Sequence, residues 1–557
     1  MSRTLTAWAA LFLLVVAGCS PTSSSSPTTS GPPASIQSTS TAAAVTRPIV
    51  VVFVNPDLGD LDPAQDWGFG APIVLAHTYD RLFQMGGQPL APQPMLAADV
   101  PTTQNGGISA DGLVYTIHLR TGATFHDGTT VDASAVVSSF ERIKKINQGP
   151  VGVSAKWIAK MQAVDPQTVR FTLSQPLSDF LPALASGWGA YIVSPTAIKA
   201  HEAKGDSAHD WLQTHDAGSG PYTMSSFDQA AKQVTLDRVD NWWGWSDGPH
   251  IGRAVIRFGV ESATARLMLE RGDADFLAGP TTDDFNKLKN ESGMVAQNYL
   301  GLEQIDILFN NSVKPFNDIK VRQAIQYTLD RDTINQGVFG GYLGKMIGVI
   351  SESYPEAYPP TTTYDFDLTK AQQLLAQAGY DASNPLRFTI TPPHYWSGDS
   401  EVLQIWQSDL AKIGVTLDIR EVDPATFGTA WYTCKADTIA GTPNGFAGGF
   451  TGDYPSSWEL LWASYSSPNG NGQCGNSYYA KNEQATTLID KVARETDTAA
   501  RKPLMEQLNQ VLTDDAEALW IGTRPSLVVM RDVVKGYSYT DMNYVAYVPL
   551  AAMSLER

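Results

Sequence analysis

Residues 111–140 read DGLVYTIHLRTGATFHDGTTVDASAVVSSF, and two periodicities succeed each other inside this one stretch. In its first half Tyr115, Ile117 and Leu119 point one way while Thr116, His118 and Arg120 point the other. Alternation with a period of two is the pattern of a strand with one buried and one wet face. In its second half Asp132 precedes Val136, Val137 and Phe140, and Ile143 just beyond continues the apolar spacing of a helix with an aspartate as its cap. Between them Phe125-His126-Asp127-Gly128 reads as a surface turn, which places His126 at the surface.

Working outward, Val169 to Leu173 repeats the alternation, and Ile49 to Val54 is an unbroken β-branched run, as expected of a strand buried on both faces. Further helices are expected after Asp318, with Val321, Ala324, Ile325, Thr328 and Leu329 inward, and after Asp367, with Gly379 as the stop. Another is expected from Glu401 to Ile413, closed by Gly414 and followed by a strand from Val415 to Ile419. Strands mixed with helices throughout make this an α/β chain of several lobes. No internal repeat is visible.

The chain has 557 residues, of which 43% are hydrophobic and 17% charged, and a net charge of −18. That is enough apolar material for about two to four domains with real cores. The acidic balance argues against phosphate backbones and polybasic membrane patches as partners, so no nucleic-acid binding is expected.

Leu5 to Gly18 is the only long apolar run, preceded by Arg3 and ending at Val16-Ala17-Gly18-Cys19. It is short for a membrane span and has the layout of a secretory leader. Its end resembles a bacterial lipobox, so residues 1–18 are expected to be a lipoprotein signal peptide and Cys19 the lipidated mature N-terminus. The following Ser, Thr and Pro-rich segment, 19–47, cannot offset its own chain entropy and reads as a tether. As a coil it would hold the folded body on the order of 30 Å from the membrane. The remaining cysteines, Cys434 and Cys474, are expected to form a disulfide in an exported chain, against the alternative of two unconnected thiols. Such a loop would contribute roughly 4 kcal/mol through the unfolded state.

Catalytic and cofactor motifs fail on inspection. No paired-histidine zinc helix, paired Cys-x-x-Cys or Gly-x-Ser-x-Gly elbow is present. Gly340-Gly341-Tyr342-Leu343-Gly344-Lys345 lacks the spacing and hydroxyl of a phosphate loop and reads as a glycine-rich turn. His201, His209 and His215 lie among acids at spacings that do not share one helical face, so a solvated acidic stretch is expected instead of a metal site. No cofactor, no metal and no enzymatic activity are expected.

The order of the remaining motifs carries a resemblance. Leu61-Asp62-Pro63, Thr78-Tyr79-Asp80-Arg81-Leu82, the 111–140 block, Gly218-Ser219-Gly220-Pro221-Tyr222, Asn241-Trp242-Trp243-Gly244, Gly272-Asp273-Ala274-Asp275, Pro315-Phe316-Asn317-Asp318 and Tyr364-Asp365 follow one another as they do in the solute-binding lipoproteins of ABC transporters, family 5. The chain resembles that family from about Val50 to its C-terminus. The resemblance implies a periplasmic-binding-protein-like two-lobed clam-shell of three domains. Domain I would comprise 48–88, 218–310 and 525–557, domain II 89–217 and domain III 311–524. It further implies a monomer that closes on a peptide and hands it to a membrane permease. This places the protein on the outer face of the cytoplasmic membrane. A metal chelate, haem, an oligosaccharide, or a sensing or chaperone-like role on the same fold are the alternatives.

By the same resemblance, cleft residues would be Trp67, Phe69 and Gly70, Trp157, Trp188 and Tyr191, and Tyr395 and Trp396, each also open to a reading as core. Aromatics supply flat apolar walls and glycine permits close backbone approach. In Gly448-Gly449-Phe450-Thr451-Gly452-Asp453-Tyr454, Asp453 matches the aspartate that accepts a peptide's α-ammonium, with Phe450, Gly452 and Tyr454 beside it. The competing reading of Asp453 is a turn cap. The lipobox is tested directly: Cys19→Ala should move the protein from the membrane to the soluble fraction, and unchanged fractionation of folded protein refutes it.

Overall fold

The computed structural model describes residues 47–556 except 55–57, 67–69, 87–89, 148–154, 393–397, 424–443, 467–480, 540, 543 and 544. Outside the described residues lie the leader, the tether, Cys434, Cys474, Trp67, Phe69, Tyr395 and Trp396, and the Phe450 side chain is likewise not described.

Eight strands form one mixed sheet: β1 Ile49–Phe53, β2 Tyr222–Asp228, β3 Gln233–Arg238, β4 Arg253–Arg257, β5 Phe276–Ala278, β6 Met294–Phe309, β7 Gly445–Phe450 and β8 Ala518–Arg531. Their order is β7-β6-β8-β5-β1-β4-β3-β2. β1 runs parallel to both neighbours, β4 and β5, and every other pairing is antiparallel. The position of β1 explains its unbroken apolar run, since Ile49, Val51 and Phe53 enter one core and Val52 another on the opposite face. β6 and β8 are the long members, 16 and 14 residues. They pair from Met294 opposite Arg531 to Leu308 opposite Ala518, with irregularities between Leu300 and Gln304 and between Ile305 and Asp306.

The 111–140 stretch folds as its periodicities require. Val114–His118 joins Thr168–Leu173 and Ile158–Asp165 in a three-stranded antiparallel sheet. Ala133–Ile146 is a helix whose cap, Asp132, accepts the Ala135 N–H at 2.9 Å. Phe140 of that helix meets Phe171 of the sheet edge-on, ring centroids 5.4 Å apart. Asp318 and Asp367 cap Ile319–Gln326 and Leu368–Gln377, and Gly379 follows the latter at φ 87°. Two boundaries differ from the periodicity. Thr328 and Leu329 lie beyond the Asp318 helix, because Asp330 accepts the Thr333 N–H and starts a separate helix, Arg331–Gly337. The helix expected from Glu401 starts at Asp399, behind Gly398 at φ 103°, because its first residues are polar and carry no apolar signal.

His126 corrects the surface-turn reading. Its Nδ1 meets the Asp216 carboxylate and its Nε2 the Gly220 carbonyl at 3.0 Å, with only 11% of the side chain exposed. Asp216 also accepts the Thr223 hydroxyl at 3.0 Å and the Met224 N–H at 2.8 Å. Beside it Asp80 accepts bonds from Ser219 at 3.0 Å and Trp243 at 2.9 Å, and Arg120 lies 3.4 Å over the Trp243 ring. Thus four of the motifs separated in sequence close one polar knot. A Cβ on Gly218 would overlap the Thr78 carbonyl, which is why the loop carrying Ser219 needs glycine there. The histidine-rich stretch is solvated at His201 and His215, but those two rings sandwich Trp211, at 4.1 and 4.8 Å.

Burial opposes the charge on His126, but the hydrogen bond and charge of Asp216, with the Gly220 carbonyl and the Asp80 charge, together outweigh it and hold its pKa above 6.5. A raised pKa means that its stabilisation is complete below pH 6.5 and fades as pH rises through the folded-state value. His126→Gln should therefore cost about 2 kcal/mol in urea unfolding near pH 6 and clearly less near pH 9. An equal cost at both pH values refutes the charged pair.

Candidate functional site

β7 ends in a turn, Thr451 to Pro455, that leads into the helix Ser457–Tyr465. Ser456 caps this helix, its hydroxyl accepting the Glu459 N–H at 3.1 Å. Asp453 is therefore not the helix cap, and no hydrogen bond reaches its carboxylate among the described residues. The rest of the turn is fixed by bonds to its backbone. Tyr354 Oη takes the Gly452 N–H at 3.0 Å and pairs with the Thr451 hydroxyl at 2.8 Å. Glu459 Oε2 accepts the Asp453 N–H at 2.8 Å, and the Ser186 hydroxyl donates to the Asp453 carbonyl at 2.7 Å. Gly452 has no room for a side chain, since a Cβ there would collide with Glu459 Oε2 and the Tyr454 carbonyl. The backbone of Asp453 is thus clamped on both sides, while its side chain has no hydrogen-bond partner among the described residues.

Burial raises both carboxyls of this pair, Asp453 to about 7 and Glu459 well above its usual range. Nearby, Asp179 and Glu356 are satisfied by one cation: Arg501 lies 3.1 Å from each. Asp179 also accepts the Ser456 hydroxyl, and Ser178 N–H donates to the Ala493 carbonyl at 2.9 Å. Segment 178–188 is in this way stitched to the turn and to the two helices Glu483–Arg494 and Thr498–Asp515.

The structure brings several of the sequence-derived residues together. Ser186 Oγ accepts the Trp188 N–H at 3.0 Å while donating to Asp453, so Trp188, itself buried, belongs to the same connection. Tyr454 and Trp157 share one apolar cluster with Trp458 and Trp462, and Lys156 stands 5.1 Å from the Trp157 ring and 5.5 Å from that of Trp462. Tyr454 Oη and Trp157 Nε1 are buried without a hydrogen-bond partner among the described residues. Such groups normally cost about 1–3 kcal/mol each if left unpaired. Tyr191 is placed elsewhere, packed with Tyr79 at 5.8 Å and beneath the Arg81 guanidinium. Gly70 is buried at the start of the helix Ala71–Thr78, and Phe450 pairs with Gln304 through the backbone.

Sequence reading missed Ser186, Glu459 and the Asp179–Arg501 pair. Ser456 and Glu459 carry a findable signal, the Ser-x-x-Glu spacing of a capping box. The usual reciprocal bond is absent, because the Ser456 N–H goes to the Tyr454 carbonyl and Glu459 turns to Asp453.

Bacterial extracellular solute-binding proteins, family 5 Middle, match residues 91–472. The chain belongs to this family. It is 29% identical over 505 residues to the probable D,D-dipeptide-binding periplasmic protein of Escherichia coli K12, covering 90% of this chain and 93% of that one. A glutathione-binding protein of Shigella flexneri is 27% identical over 489 residues, 85% of this chain and 88% of its own. Among solved structures, the Helicobacter pylori periplasmic binding protein in complex with the peptide STSA superposes with a TM-score of 0.76 at 24% identity, covering 91% and 98% of the two chains. The fold is accordingly the mixed α/β, two-lobed fold of family 5 solute-binding proteins, as the motif order implied. No helix among the described residues is long and apolar enough to cross a membrane, and no group of metal-ligating side chains gathers among them.

The Arg501 bridge should matter to stability. Arg501→Met strands Asp179 and Glu356 and should cost roughly 3–5 kcal/mol in chemical unfolding. Combining it with Asp179→Asn should recover part of that loss; strictly additive costs would refute a direct bridge.

Proposed function

We propose that this protein is a membrane-tethered receptor that encloses short peptides between its lobes and delivers them to the permease of an ABC importer. The observation that carries the peptide reading is Asp453, whose backbone is clamped by Glu459 and Ser186 while its carboxylate has no described partner. An ammonium group suits such a carboxylate because it gives charge-assisted hydrogen bonds, and the backbone of a peptide can be read without regard to its side chains. The polar tips of Trp157 and Tyr454, buried without a hydrogen-bond partner among the described residues, lie in one apolar cluster beside this turn. Trp67, Phe69, Gly70, Trp188, Tyr395 and Trp396 would complete the walls, and Tyr191 would act by packing behind them. Domain boundaries follow the sequence assignment, with segment 89–217 on one lobe and 311–524 on the other. Cys19 supplies the anchor and Cys434–Cys474 a bridge enclosing the Asp453 loop.

Relatives named for D,D-dipeptides, glutathione and a bound STSA peptide make D-Ala-D-Ala, glutathione and Ser-Thr-Ser-Ala the first probes, each carrying a free α-ammonium. Native mass spectrometry should find a peptide retained by, or captured from this panel by, the full chain. With that peptide, Asp453→Asn should lose roughly 10² to 10³-fold or more in calorimetric affinity, the result of stranding a buried cation at a cost of about 3–5 kcal/mol. Wild-type affinity in the folded variant, or equal binding of the N-acetylated peptide, refutes the anchor.

A further inference from the structure

The two acids that share Arg501 come from different parts of the chain: Glu356, like Arg501, from 311–524, and Asp179 from 89–217. Arg501 Nε–H is split between the two Glu356 oxygens, 3.1 Å from each, and Nη1 also donates to the Val492 carbonyl at 3.3 Å. Toward the other segment Nη2 lies 3.1 Å from Asp179, and Nη1 donates to the Ser178 hydroxyl, which itself donates to Asp179 at 3.0 Å. The second Asp179 oxygen takes the Ser456 hydroxyl. Arg501 and Asp179 are both buried. Glu356 stands at a φ of 60°, the left-handed region that a residue with a Cβ rarely enters. Its surroundings fix it there. The Ser457 hydroxyl donates to the Pro355 carbonyl, the Tyr358 N–H to the Glu356 carbonyl at 3.0 Å, and Tyr354, two residues earlier, accepts the Gly452 N–H of the Asp453 turn. Strained residues persist only where their surroundings over-determine them, and they gather at working sites.

Two carboxylates on one guanidinium repel each other across it, so each is held less firmly than it would be alone. Burial raises the Glu356 carboxyl against the pull of Arg501, and the Asp179 charge adds to the rise. We propose that Asp179 and Arg501 form a latch between the lobes and that Glu356 is its positioning residue, keeping the guanidinium paired when Asp179 departs. The proposal rests on the assignment of 89–217 and 311–524 to opposite lobes and on no particular solute. As the lobes part, Asp179 exchanges Arg501 and Ser456 for water, while Arg501 retains Glu356 and the Val492 carbonyl. Breaking a buried ion pair is costly chiefly through the charge it leaves behind, and here none is left. The two acids therefore act with opposite signs. Asp179 favours the closed state, and Glu356, competing for the same cation, favours the open one. A plain structural brace would have both favour the closed state.

One backbone bond crosses the same boundary and reports on it: the Ser178 N–H donates to the Ala493 carbonyl at 2.9 Å. Hydrogen exchange of that amide in the full chain, without solute, follows the open fraction even where that fraction is small. Asp179→Asn keeps an oxygen for the Ser456 hydroxyl. It should speed Ser178 exchange, corrected for the new neighbour, by about tenfold, the effect of losing a hydrogen bond between charged groups. Glu356→Gln leaves Arg501 to Asp179 alone and should slow the exchange. Glu356→Gly, suited to the left-handed backbone, removes the same carboxylate and should slow it as well. Faster exchange in all three variants, or no change in any, overturns the latch. The lobe assignment has its own readout: in mild urea the wild-type Ser178 amide should exchange faster than the amides of β8 and with a shallower urea dependence, because parting lobes expose less surface than unfolding. Equal rates and equal urea dependence overturn the assignment and the latch with it. Both measurements are made without solute, so a failure of the latch and a failure of the Asp453 anchor are separate results.

Discussion

One ladder carries the molecule: the antiparallel pairing of β6 with β8. Both strands feed every large core. Leu519 and Ile521 enter the core with Ile305 and Ile307; Ala518 and Trp520 enter the one that holds Tyr454; Val528 and Met530 pack with β1; and Leu527 and Val529 with the helix-covered opposite face. A strand pair that alternates sides along its length ties otherwise separate cores into one frame, because each successive residue belongs to a different face. Its register is interrupted at Leu300 to Gln304. At that break Glu303 pairs with Arg524 at 2.8 Å, and Gly301 faces the Arg524 carbonyl at a distance no Cβ could occupy.

The site depends on this frame through β7, which pairs with β6 in the sheet, bridges to Thr391 along its other edge, and delivers the Asp453 turn at its end. Two kinds of support then converge on the turn. Bonds to its backbone from Tyr354, Glu459 and Ser186 fix where Asp453 begins, while the Asp179–Arg501–Glu356 group holds the opposing segment against the same helices. The side chains proposed to meet solute are thus held by residues that need never touch it. Fixing a recognition group before its partner arrives lowers the entropy cost of binding.

Much of the fold was legible because its signals are local. The alternation at Tyr115, Ile117 and Leu119 and the caps at Asp132, Asp318 and Asp367 each involve neighbours a few residues apart, and the structure places them accordingly. Motif order extended this to the family. The polar knot was not legible, since His126 reads as a turn residue until Asp216, ninety positions away, is brought to it. The same holds for Ser186, whose partner Asp453 is 267 positions on. Asp453 and Trp188 could be singled out by resemblance, but what clamps them is long-range and carries no periodicity. Tyr191 illustrates the opposite limit: an aromatic in a cleft-like loop packed instead against Tyr79 and Arg81.

The Ser186 hydroxyl, the Ser456 hydroxyl on Asp179 and the Arg501 bridge join segment 178–188 to the Asp453 turn and the helices behind it using only the protein's own groups. Under the proposed assignment of these segments to opposite lobes, each bond ruptures before a solute leaves, whatever that solute is. Residence time then has a floor set by the receptor itself, common to all cargo, and differences between cargoes appear on top of it. Unloading at the permease becomes a problem of mechanical work: the partner must pull the two edges apart, and the amount it must supply is written in these three contacts.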